Sequence, residues 1–556
     1  MKVLRLVSTA LKLPTVIIVK FIYLKSLIQK KNNTVNLSTR FSWINRPGFP
    51  GHFFALLCGA ILPFSFAPYS LWPLQFISVA LLFISLKSLT PKQALWRGWW
   101  FGLGTYAAGV SWVYVSIHIH SNTPAIPAFF MTLFFVSGLA WFFAFMTYSY
   151  QKFFARHALP YLSFACVWLL FEWSRSWFLT GFPWLFLGDA HIDSPLKGFA
   201  PLVGVYGIGF IVVMSAAFVC EKEWQEQWKK NLLLLSLPWL LGAGLSFVSW
   251  TQPVENGEIN LVAIQGNIPQ ERKWLPEEIY PTLEKYRSAS EKNWQADLIL
   301  WPETAITVLH HQAQEYLKFL NEEGQKNNTI LITGIPYQQG QTEAYPGAYH
   351  NSILALGQGS GLYHKQRLVP FGEYMPLPQS WRPLLDFFNI PMSEFQPGLN
   401  TQSRLKANSH NIDYLIAPFI CYDIAYPDFV SNLARDTGLM VTISNDAWFG
   451  TSIGPKQHLG LARMRSLENG RYQLRSTNTG ITALIDDKGK IVKKLPQFEF
   501  GVLEAQAVIM KGNTPFNIWG SWPVLLISFA GLIFVRFKKG ITQENMNSSI
   551  EQAQPE

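Results

Sequence analysis

The sequence is poor in charge. Asp, Glu, Lys and Arg together make up 14% of its 556 residues, whereas about 25% is usual in soluble domains. Hydrophobic residues account for 49% and aromatic residues for 15%. This balance argues against a purely soluble protein, and a chain of this length predicts two or more structural units.

Cysteine is also scarce. The four cysteines are Cys58, Cys166, Cys220 and Cys421, and they form no CxxC pair and no His/Cys metal spacing, which argues against a zinc site. The first three lie within or beside apolar segments, where a free thiol behaves as a small hydrophobic group. Cys421 alone lies in a soluble-looking region, so it needs another explanation.

A net charge of +10 could indicate a nucleic-acid partner. The basic residues, however, lie beside apolar segments and form no patch interleaved with polar surface. We therefore interpret them as determinants of membrane topology and expect no nucleic-acid partner.

Eight apolar runs approach the ~20 residues that a helix needs to cross a bilayer. The first, second and fifth of these runs are short or interrupted by proline, so a helical hairpin and tilted helices are both alternatives there. The runs cover residues 52–69, 71–87, 98–118, 125–149, 158–174, 198–220, 231–250 and 516–535.

The connections between these runs differ in charge. If residue 1 lies in the cytoplasm, the cytoplasmic connections contain nearly all the basic residues near the membrane, as the positive-inside rule requires. These residues are Lys87, Lys92, Arg97, Lys152, Arg156, Lys222, Lys229, Lys230, Arg536, Lys538 and Lys539. The pattern predicts cytoplasmic termini and an extracytoplasmic segment 252–515.

This topology divides the chain into five parts. Residues 1–51 are a basic cytoplasmic extension, better explained by an amphipathic segment on the anionic leaflet than by a cleaved signal peptide. Residues 52–251 hold seven transmembrane helices, 252–515 an extracytoplasmic domain, and 516–537 an eighth helix. Residues 538–556 are a polar cytoplasmic tail, predicted to be disordered.

The extracytoplasmic segment alternates between apolar strands and short helices. Strands are predicted at 259–265, 297–301, 329–334, 352–356, 414–420 and 439–444, and helices at 276–291, 312–323, 427–435 and 457–469. A hairpin is predicted at 482–492. Continuously apolar strands are buried on both faces, so we expect an α+β sandwich in which the sheet is covered by helices or by a second sheet.

Ionisable residues follow three of these apolar stretches. Glu303 comes after a strand and directly follows Trp301-Pro302. Lys365 and Glu373 flank a Pro/Gly loop. Cys421 ends the most apolar strand. Taken singly, the glutamate could be an N-cap or an ion-pair partner, the lysine a surface charge and the cysteine a core residue. Together they are the parts of a thiol nucleophile.

A cysteine attacks as its thiolate, so it needs a base or a nearby positive charge. Desolvation would raise the pKa of Glu303 towards the range of a general base. The Lys365 ammonium would stabilise the thiolate and a tetrahedral oxyanion. Glu373 would hold that ammonium in place.

The order Glu, Lys, Cys with these neighbours resembles the nitrilase superfamily, and more closely its membrane-bound branch, the apolipoprotein N-acyltransferases. The resemblance runs from about His52 to Arg536. It rests on Gln265–Gln270 with Trp274, Trp301–Glu303, Leu368–Glu373, Ile420–Tyr422 and Ser444–Gly450, and in the helical part on Ser111–Ser116 and Thr180–Trp184.

The resemblance implies a four-layer α-β-β-α sandwich and a bacterial inner-membrane enzyme without metal or organic cofactor. Cys421 would accept the sn-1 acyl chain of a phospholipid and pass it, through a thioester, to the N-terminal amine of a diacylglyceryl-cysteine on an apolipoprotein. Glu303 would be the base, Lys365 the oxyanion stabiliser and Glu373 its support. Trp274, Tyr422 and Asp423 would line the substrate site, although Asp423 stands where the family usually has Glu.

Other functions stay open at this point. A membrane-anchored amidase would keep the three residues but would not need seven crossings. A transporter with an extracytoplasmic binding domain would place charges in the helices, which contain few. A catalytically inactive receptor is opposed by the intact Glu303, Lys365 and Cys421.

One aromatic stretch lies between the fifth and sixth runs. Trp177, Phe178, Phe182, Trp184 and Phe186 are expected at the outer membrane interface, where aromatic rings are favoured. They could form a substrate portal or an ordinary aromatic belt.

Overall fold

The structure is a computed structural model and describes residues 47–121, 123–221, 227–340, 347–374 and 395–538. Most of the predicted basic extension and nearly all of the polar tail lie outside these residues. The description below covers the helical part, the mixed α/β part between residues 252 and 511, and the final helix.

Each predicted apolar run contains a helix. In chain order they are α1 Phe49–Ile61, α2 Pro73–Leu86, α3 Pro91–Gly109, α4 Ala125–Phe153, α5 Pro160–Ser174, α6 Ala200–Phe218, α7 Trp228–Leu245 and, after the α/β part, α12 Trp522–Phe537. The third differs most from its run, because Thr90 and Gln93 form a capping box and Pro91 occupies the first turn. These residues start α3 seven positions earlier than hydropathy alone predicts.

Among the described residues, two helical segments combine the length and the apolar character needed to span a membrane. They are Ala125–Phe153 and Pro195–Phe218, both with a mean hydropathy of 2.0. The apolar helices Phe49–Ser65, Pro73–Leu86 and Trp522–Phe537 are shorter. These two segments are long and apolar enough to span a membrane, while eight crossings stay a prediction.

The described residues of the α/β part form twelve hydrogen-bonded strands in the order β11-β10-β9-β8-β7-β6-β5-β4-β3-β2-β1-β12. Parallel pairs are β1/β2, β2/β3, β7/β8 and β8/β9, and the remaining neighbours are antiparallel. The strands are β1 Gln252–Gln265, β2 Leu298–Leu300, β3 Ile330–Gln339, β4 Ala348–Gly357, β5 Gly359–His364, β6 Leu405–Ser409, β7 Ile412–Ile420, β8 Leu439–Ser444, β9 Gln473–Thr477, β10 Ala483–Ile485, β11 Ile491–Lys494 and β12 Gly501–Lys511.

The sheet folds back on itself. Ser476 on β9 donates a hydrogen bond to the carbonyl of Ile264 on β1 at 2.9 Å, although these strands are far apart in the sheet order. Side chains from both halves meet in one core, for example Leu261 on β1 with Ile416 on β7 and Met440 on β8. The two halves therefore pack face to face and bring their strand ends together.

Helices cover the outer side of the first half. They are α8 Pro276–Glu291 and α9 Gln314–Lys326, while α10 Pro427–Ala434 and α11 Gly454–Asn469 follow β7 and β8 in the second half. Along β1, Leu261 and Ala263 face the inner core, and Val262 and Ile264 pack with residues of α8 and α9. This alternation explains why residues 261–264 of β1 are all apolar.

The helical and α/β parts share buried polar contacts. Helix α6 is interrupted at Gly204, where φ is 60°, and the backbone N–H of Val205 donates to Glu468 on α11 at 2.9 Å. Arg465 on α11 donates to Asp189 of the helical part at 3.0 Å. Since these groups are withdrawn from water, the contacts fix how α11 lies against the helical part.

Two glycines allow α1 and α3 to approach closely. A Cβ on Gly59 would lie 2.0 Å from the Phe101 carbonyl oxygen, and a Cβ on Gly104 would lie 2.0 Å from that of Leu56. Small residues at such crossings are typical of helix pairs that pack backbone to backbone in membranes.

We expect Gly104→Ala to destabilise the protein by ~1–3 kcal/mol, because the added methyl group forces the two backbones apart. The matched control is Gly138→Ala on α4, where an added Cβ meets nothing within 4 Å. Thermal unfolding in detergent measures both. Equal midpoints for the two variants would contradict the close crossing.

Candidate active site

The three predicted reactive residues follow the ends of three strands. Glu303 comes after β2, Lys365 directly after β5 and Cys421 directly after β7. These strands belong to both halves of the folded sheet, so the packing of the halves brings the residues together. The Lys365 Nζ lies 3.9 Å from the Glu303 Oε1.

Glu303 is buried and held by two donors. Its Oε1 accepts from the Asn351 side chain at 2.6 Å, and its Oε2 accepts from the backbone N–H of Asn445, just after β8, at 2.7 Å. Burial raises the pKa of Glu303, and the Lys365 ammonium lowers it by less. A raised pKa favours proton exchange by this carboxyl group, and the general-base role of Glu303 stays a prediction.

Lys365 is 1% exposed and paired with a second carboxylate. Its Nζ donates to Glu373 Oε1 at 2.8 Å, and Glu373 Oε2 accepts from the Val369 N–H at 2.8 Å. Burial alone would lower the pKa of Lys365, but Glu373 and Glu303 outweigh that effect and raise it. The lysine therefore stays an ammonium, and Glu373 fixes it as expected.

Cys421 adopts a left-handed backbone conformation with φ 50°. For a residue with a Cβ this costs about 1–3 kcal/mol and is found mainly at functional turns. Burial, followed by the nearby Glu303 charge, raises the pKa of the Cys421 thiol to about 12, although Lys365 opposes this. A raised pKa disfavours the thiolate at rest, so attack requires a base to take the thiol proton.

Asp423 joins the cysteine turn to the lysine loop. Its Oδ2 accepts from Tyr363 at 3.0 Å and from the Ile420 N–H at 3.1 Å, and its Oδ1 accepts from the Arg367 N–H at 2.9 Å. The residue is fully buried. Through these contacts the buried carboxylate orients the cysteine turn and the lysine loop, while its predicted contact with substrate stays a prediction.

Tyr422 and Trp274 lie in different surroundings. The Tyr422 hydroxyl donates to the carbonyl of Gly181 in the helical part at 3.2 Å, and its ring is buried. Trp274 is half exposed and lines a mainly apolar pocket of about 420 Å³. Thus Tyr422 connects the site to the helical part, while only Trp274 borders open space.

The aromatic stretch divides into two groups. Trp177 and Phe178 are half exposed, as expected for interfacial rings, whereas Trp184 and Phe186 are buried. The Trp184 indole donates to Gln457 on α11 at 2.7 Å. The expectation that all five rings lie at the interface is therefore wrong, because part of the stretch turns inward against the α/β part.

The structure adds residues that sequence reasoning did not select. Asn351 on β4 also approaches Glu373 Oε1 at 3.4 Å and so lies between the two carboxylates. Lys273 is buried, and its Nζ donates to the Glu303 carbonyl at 2.9 Å. Asn351 directly precedes the predicted apolar strand 352–356, and Lys273 directly precedes the motif residue Trp274, which were the available signals.

Together these groups can perform acyl transfer through sulfur. A carboxyl group with a raised pKa can take the thiol proton, and a buried ammonium can stabilise an oxyanion. Such a Glu, Lys and Cys arrangement at the strand ends of a folded sheet defines the carbon-nitrogen hydrolase class. The family model described as carbon-nitrogen hydrolase matches residues 261–509, and the one described as the apolipoprotein N-acyltransferase N-terminal domain matches residues 58–218.

Full-length relatives identify the branch. The chain is 44% identical over 492 residues to the apolipoprotein N-acyltransferase of Pseudomonas syringae pv. tomato, covering 87% of this chain and 96% of that protein. It is 41% identical to that of Vibrio vulnificus, over 85% of this chain and 94% of that one. The chain belongs to the apolipoprotein N-acyltransferase family, a family of bacterial membrane enzymes.

Solved structures similar to part of the chain include Nit3 of Saccharomyces cerevisiae, a member of the nitrilase superfamily. It is 17% identical with a TM-score of 0.34, and the alignment covers 46% of this chain and 93% of Nit3. A carbon-nitrogen hydrolase of Helicobacter pylori is 16% identical with a TM-score of 0.33, covering 45% and 89%.

We expect alkylation of Cys421 by iodoacetamide to accelerate as pH rises through the raised pKa of Glu303. Below that pKa the carboxyl group is protonated and cannot accept the thiol proton. Above it the carboxylate can. The inflection should lie above the ordinary range of a glutamate and vanish in Glu303→Gln, as followed by mass spectrometry of the Cys421 peptide.

The matched control is Glu255→Gln, a surface substitution on β1 that should leave the profile unchanged. An unaltered inflection in Glu303→Gln would exclude Glu303 as the proton acceptor.

Proposed function

We propose that the protein transfers the sn-1 acyl chain of a phospholipid, typically phosphatidylethanolamine, to the N-terminal amine of a diacylglyceryl-cysteine on an apolipoprotein. The product is a triacylated lipoprotein. The observation that carries the proposal is the cluster of buried Glu303 and Lys365 with the partly exposed Cys421, in a chain related along most of its length to enzymes of this name.

In the first half-reaction Glu303 takes the proton of Cys421, and the sulfur attacks the acyl ester carbonyl carbon. The Lys365 ammonium stabilises the tetrahedral oxyanion, a contribution commonly worth ~2.7–4 kcal/mol. As the C–O bond breaks, Glu303 returns the proton to the departing glycerol oxygen. A thioester on Cys421 and a lysophospholipid result.

In the second half-reaction the α-amine of the acceptor attacks the thioester carbonyl carbon. Glu303 accepts a proton from the attacking amine, and Lys365 again stabilises the oxyanion. The C–S bond then breaks, and the proton passes to the leaving sulfur. An amide forms on the acceptor and the Cys421 thiol is restored, so one carboxyl group serves both halves.

The surrounding residues support these steps in different ways. Glu373 keeps Lys365 charged through their 2.8 Å contact. Asp423 orients the cysteine turn and the lysine loop through its three accepted hydrogen bonds. We assign Trp274 and Tyr422 to the substrate side of the site, since Trp274 borders the apolar pocket and Tyr422 reaches the helical part.

The proposal includes a location. The helices α1–α7 and α12 cross the bacterial inner membrane, both termini lie in the cytoplasm, and the α/β part lies on the periplasmic side as a four-layer α-β-β-α sandwich. This placement puts Cys421 near the outer leaflet, where a phospholipid donor and a membrane-anchored acceptor can both reach it. The exposed rings of Trp177 and Phe178 suit the interface on that side.

We expect label from a phospholipid radiolabelled in its sn-1 chain to appear first on the protein and then on the amine of a diacylated lipopeptide. Cys421→Ala should show neither step, because no sulfur is available. Release of free fatty acid without peptide acylation would instead indicate a hydrolase. Transfer that survives in Cys421→Ala would exclude the thioester route.

We expect the topology to be visible with a membrane-impermeant thiol reagent. In spheroplasts Glu255→Cys, on exposed β1, should be labelled at once, whereas Lys229→Cys, at the exposed start of α7, should be labelled only after the membrane is permeabilised. The parent chain serves as the control for its own cysteines. The reverse order of labelling would contradict a periplasmic α/β part.

A further inference from the structure

A buried histidine contacts the backbone of the reactive cysteine. The Nε2 of His458, near the start of α11, lies 3.1 Å from the carbonyl oxygen of Cys421. That carbonyl belongs to the residue with the left-handed φ of 50°. A hydrogen bond to this carbonyl therefore restrains the backbone of Cys421 and, with it, the direction of the Cys421 sulfur.

The other side of the histidine ring is held by charged groups. His458 Nδ1 lies 3.0 Å from Asp446 Oδ1 and 3.0 Å from Arg475 Nη2, and Arg475 Nη2 donates to Asp446 Oδ2 at 2.8 Å. Ser444 donates to Asp446 Oδ1 at 2.7 Å. The side chains of Asp446, His458 and Arg475 are at most 1% exposed. The buried ion pair of Asp446 and Arg475 therefore holds the Nδ1 side of the His458 ring.

Aromatic rings and a neighbouring amide complete the enclosure. The rings of Trp184 and Phe449 lie 5.9 Å and 6.0 Å from the His458 ring. The adjacent Gln457 accepts from the indole N–H groups of Trp112 and Trp184, and donates to a carbonyl of α3. The first turn of α11 is therefore tied to the helical part while it contacts the cysteine.

The direction of the hydrogen bond follows from the partner. A carbonyl oxygen can only accept, so Nε2 must carry the hydrogen. Both the imidazolium and the neutral tautomer with its proton on Nε2 satisfy this. The contact is therefore the same whether Nδ1 donates to Asp446 or accepts from Arg475.

We propose that His458 is a positioning residue for acyl transfer. By donating from Nε2 to the Cys421 carbonyl it holds the strained cysteine turn so that the sulfur stays directed at Glu303 and Lys365, while Asp446 and Arg475 hold the ring. The inference rests on the proposed function and deepens it. It also gives the Ser444–Gly450 motif a role, because that segment supplies the Asp446 that anchors the histidine.

The test compares two amide replacements of similar polarity. The amide nitrogen of His458→Gln can take the place of Nε2, whereas that of His458→Asn takes the place of Nδ1 and falls short of the Cys421 carbonyl. We expect single-turnover formation of the labelled Cys421 thioester to fall about 100-fold in His458→Asn, the loss typical of a reacting atom misplaced by about 1 Å. His458→Gln should recover most of the rate.

The substrate dependence provides a second measurement. Because the sulfur is misdirected and no lipid contact is lost, His458→Asn should lower kcat and leave KM for the phospholipid near that of the parent. Ser466→Ala is the matched control, since it removes a buried hydrogen bond from the same helix without contacting the cysteine. It should keep the parent kcat, and thermal unfolding in detergent should show the three variants folded.

The outcomes separate the two proposals. Equal rates for folded His458→Gln and His458→Asn would overturn the positioning role while leaving the thioester mechanism intact. If His458→Asn does not fold, a 100-fold loss in folded His458→Gln also overturns it. Failure of the parent protein to form any Cys421 thioester would instead reject the proposed function, and the positioning role with it.

Discussion

The active site depends on a lysine ammonium that has been removed from water. A buried charge costs several kcal/mol unless it is paired and hydrogen-bonded, and Lys365 meets this requirement with Glu373 at 2.8 Å and Glu303 at 3.9 Å. Burying Lys365, which follows β5, therefore requires Glu303, which follows β2, to lie close to it. Burial raises the pKa of Glu303, and the Lys365 ammonium lowers it by less, since the ammonium lies closer to Glu373 than to Glu303.

Helix α11 connects this chemistry to the helical part. Its first turn reaches the cysteine through His458 and the helical part through Gln457, and its last turn accepts the freed N–H of Val205 through Glu468. The helical part and the reactive cysteine turn therefore both form hydrogen bonds with helix α11. The helical part and the sheet are positioned relative to each other by buried hydrogen bonds, which are costly to leave unmade.

The elements that the sequence predicted well are those with a strong local signal. The apolar runs all contain helices, and the apolar strands β2–β4, β7 and β8 overlap their predicted positions, while β1 begins seven residues before its predicted start. Strands β5, β6, β9 and β12 were missed. Their residues are polar or mixed, as in Gln473–Thr477, where every side chain is buried but Arg475 pairs with Asp446. A polar strand of this kind is stable only because distant groups satisfy it.

The sequence by itself determined the family, the helices of the apolar runs, the strongly apolar strands and the choice of Glu303, Lys365, Glu373 and Cys421 as candidate site residues, because motifs and hydropathy are properties of neighbouring residues. Tertiary structure alone decided the burial that raises the pKa of the Cys421 thiol, the loop-orienting contacts of Asp423, and the approach of Asn351 and His458. These features depend on burial and on contacts between residues that are far apart in the chain, such as Glu303 and Asn445, which are 142 positions apart. Burial and distance exist only after the sheet has folded back on itself.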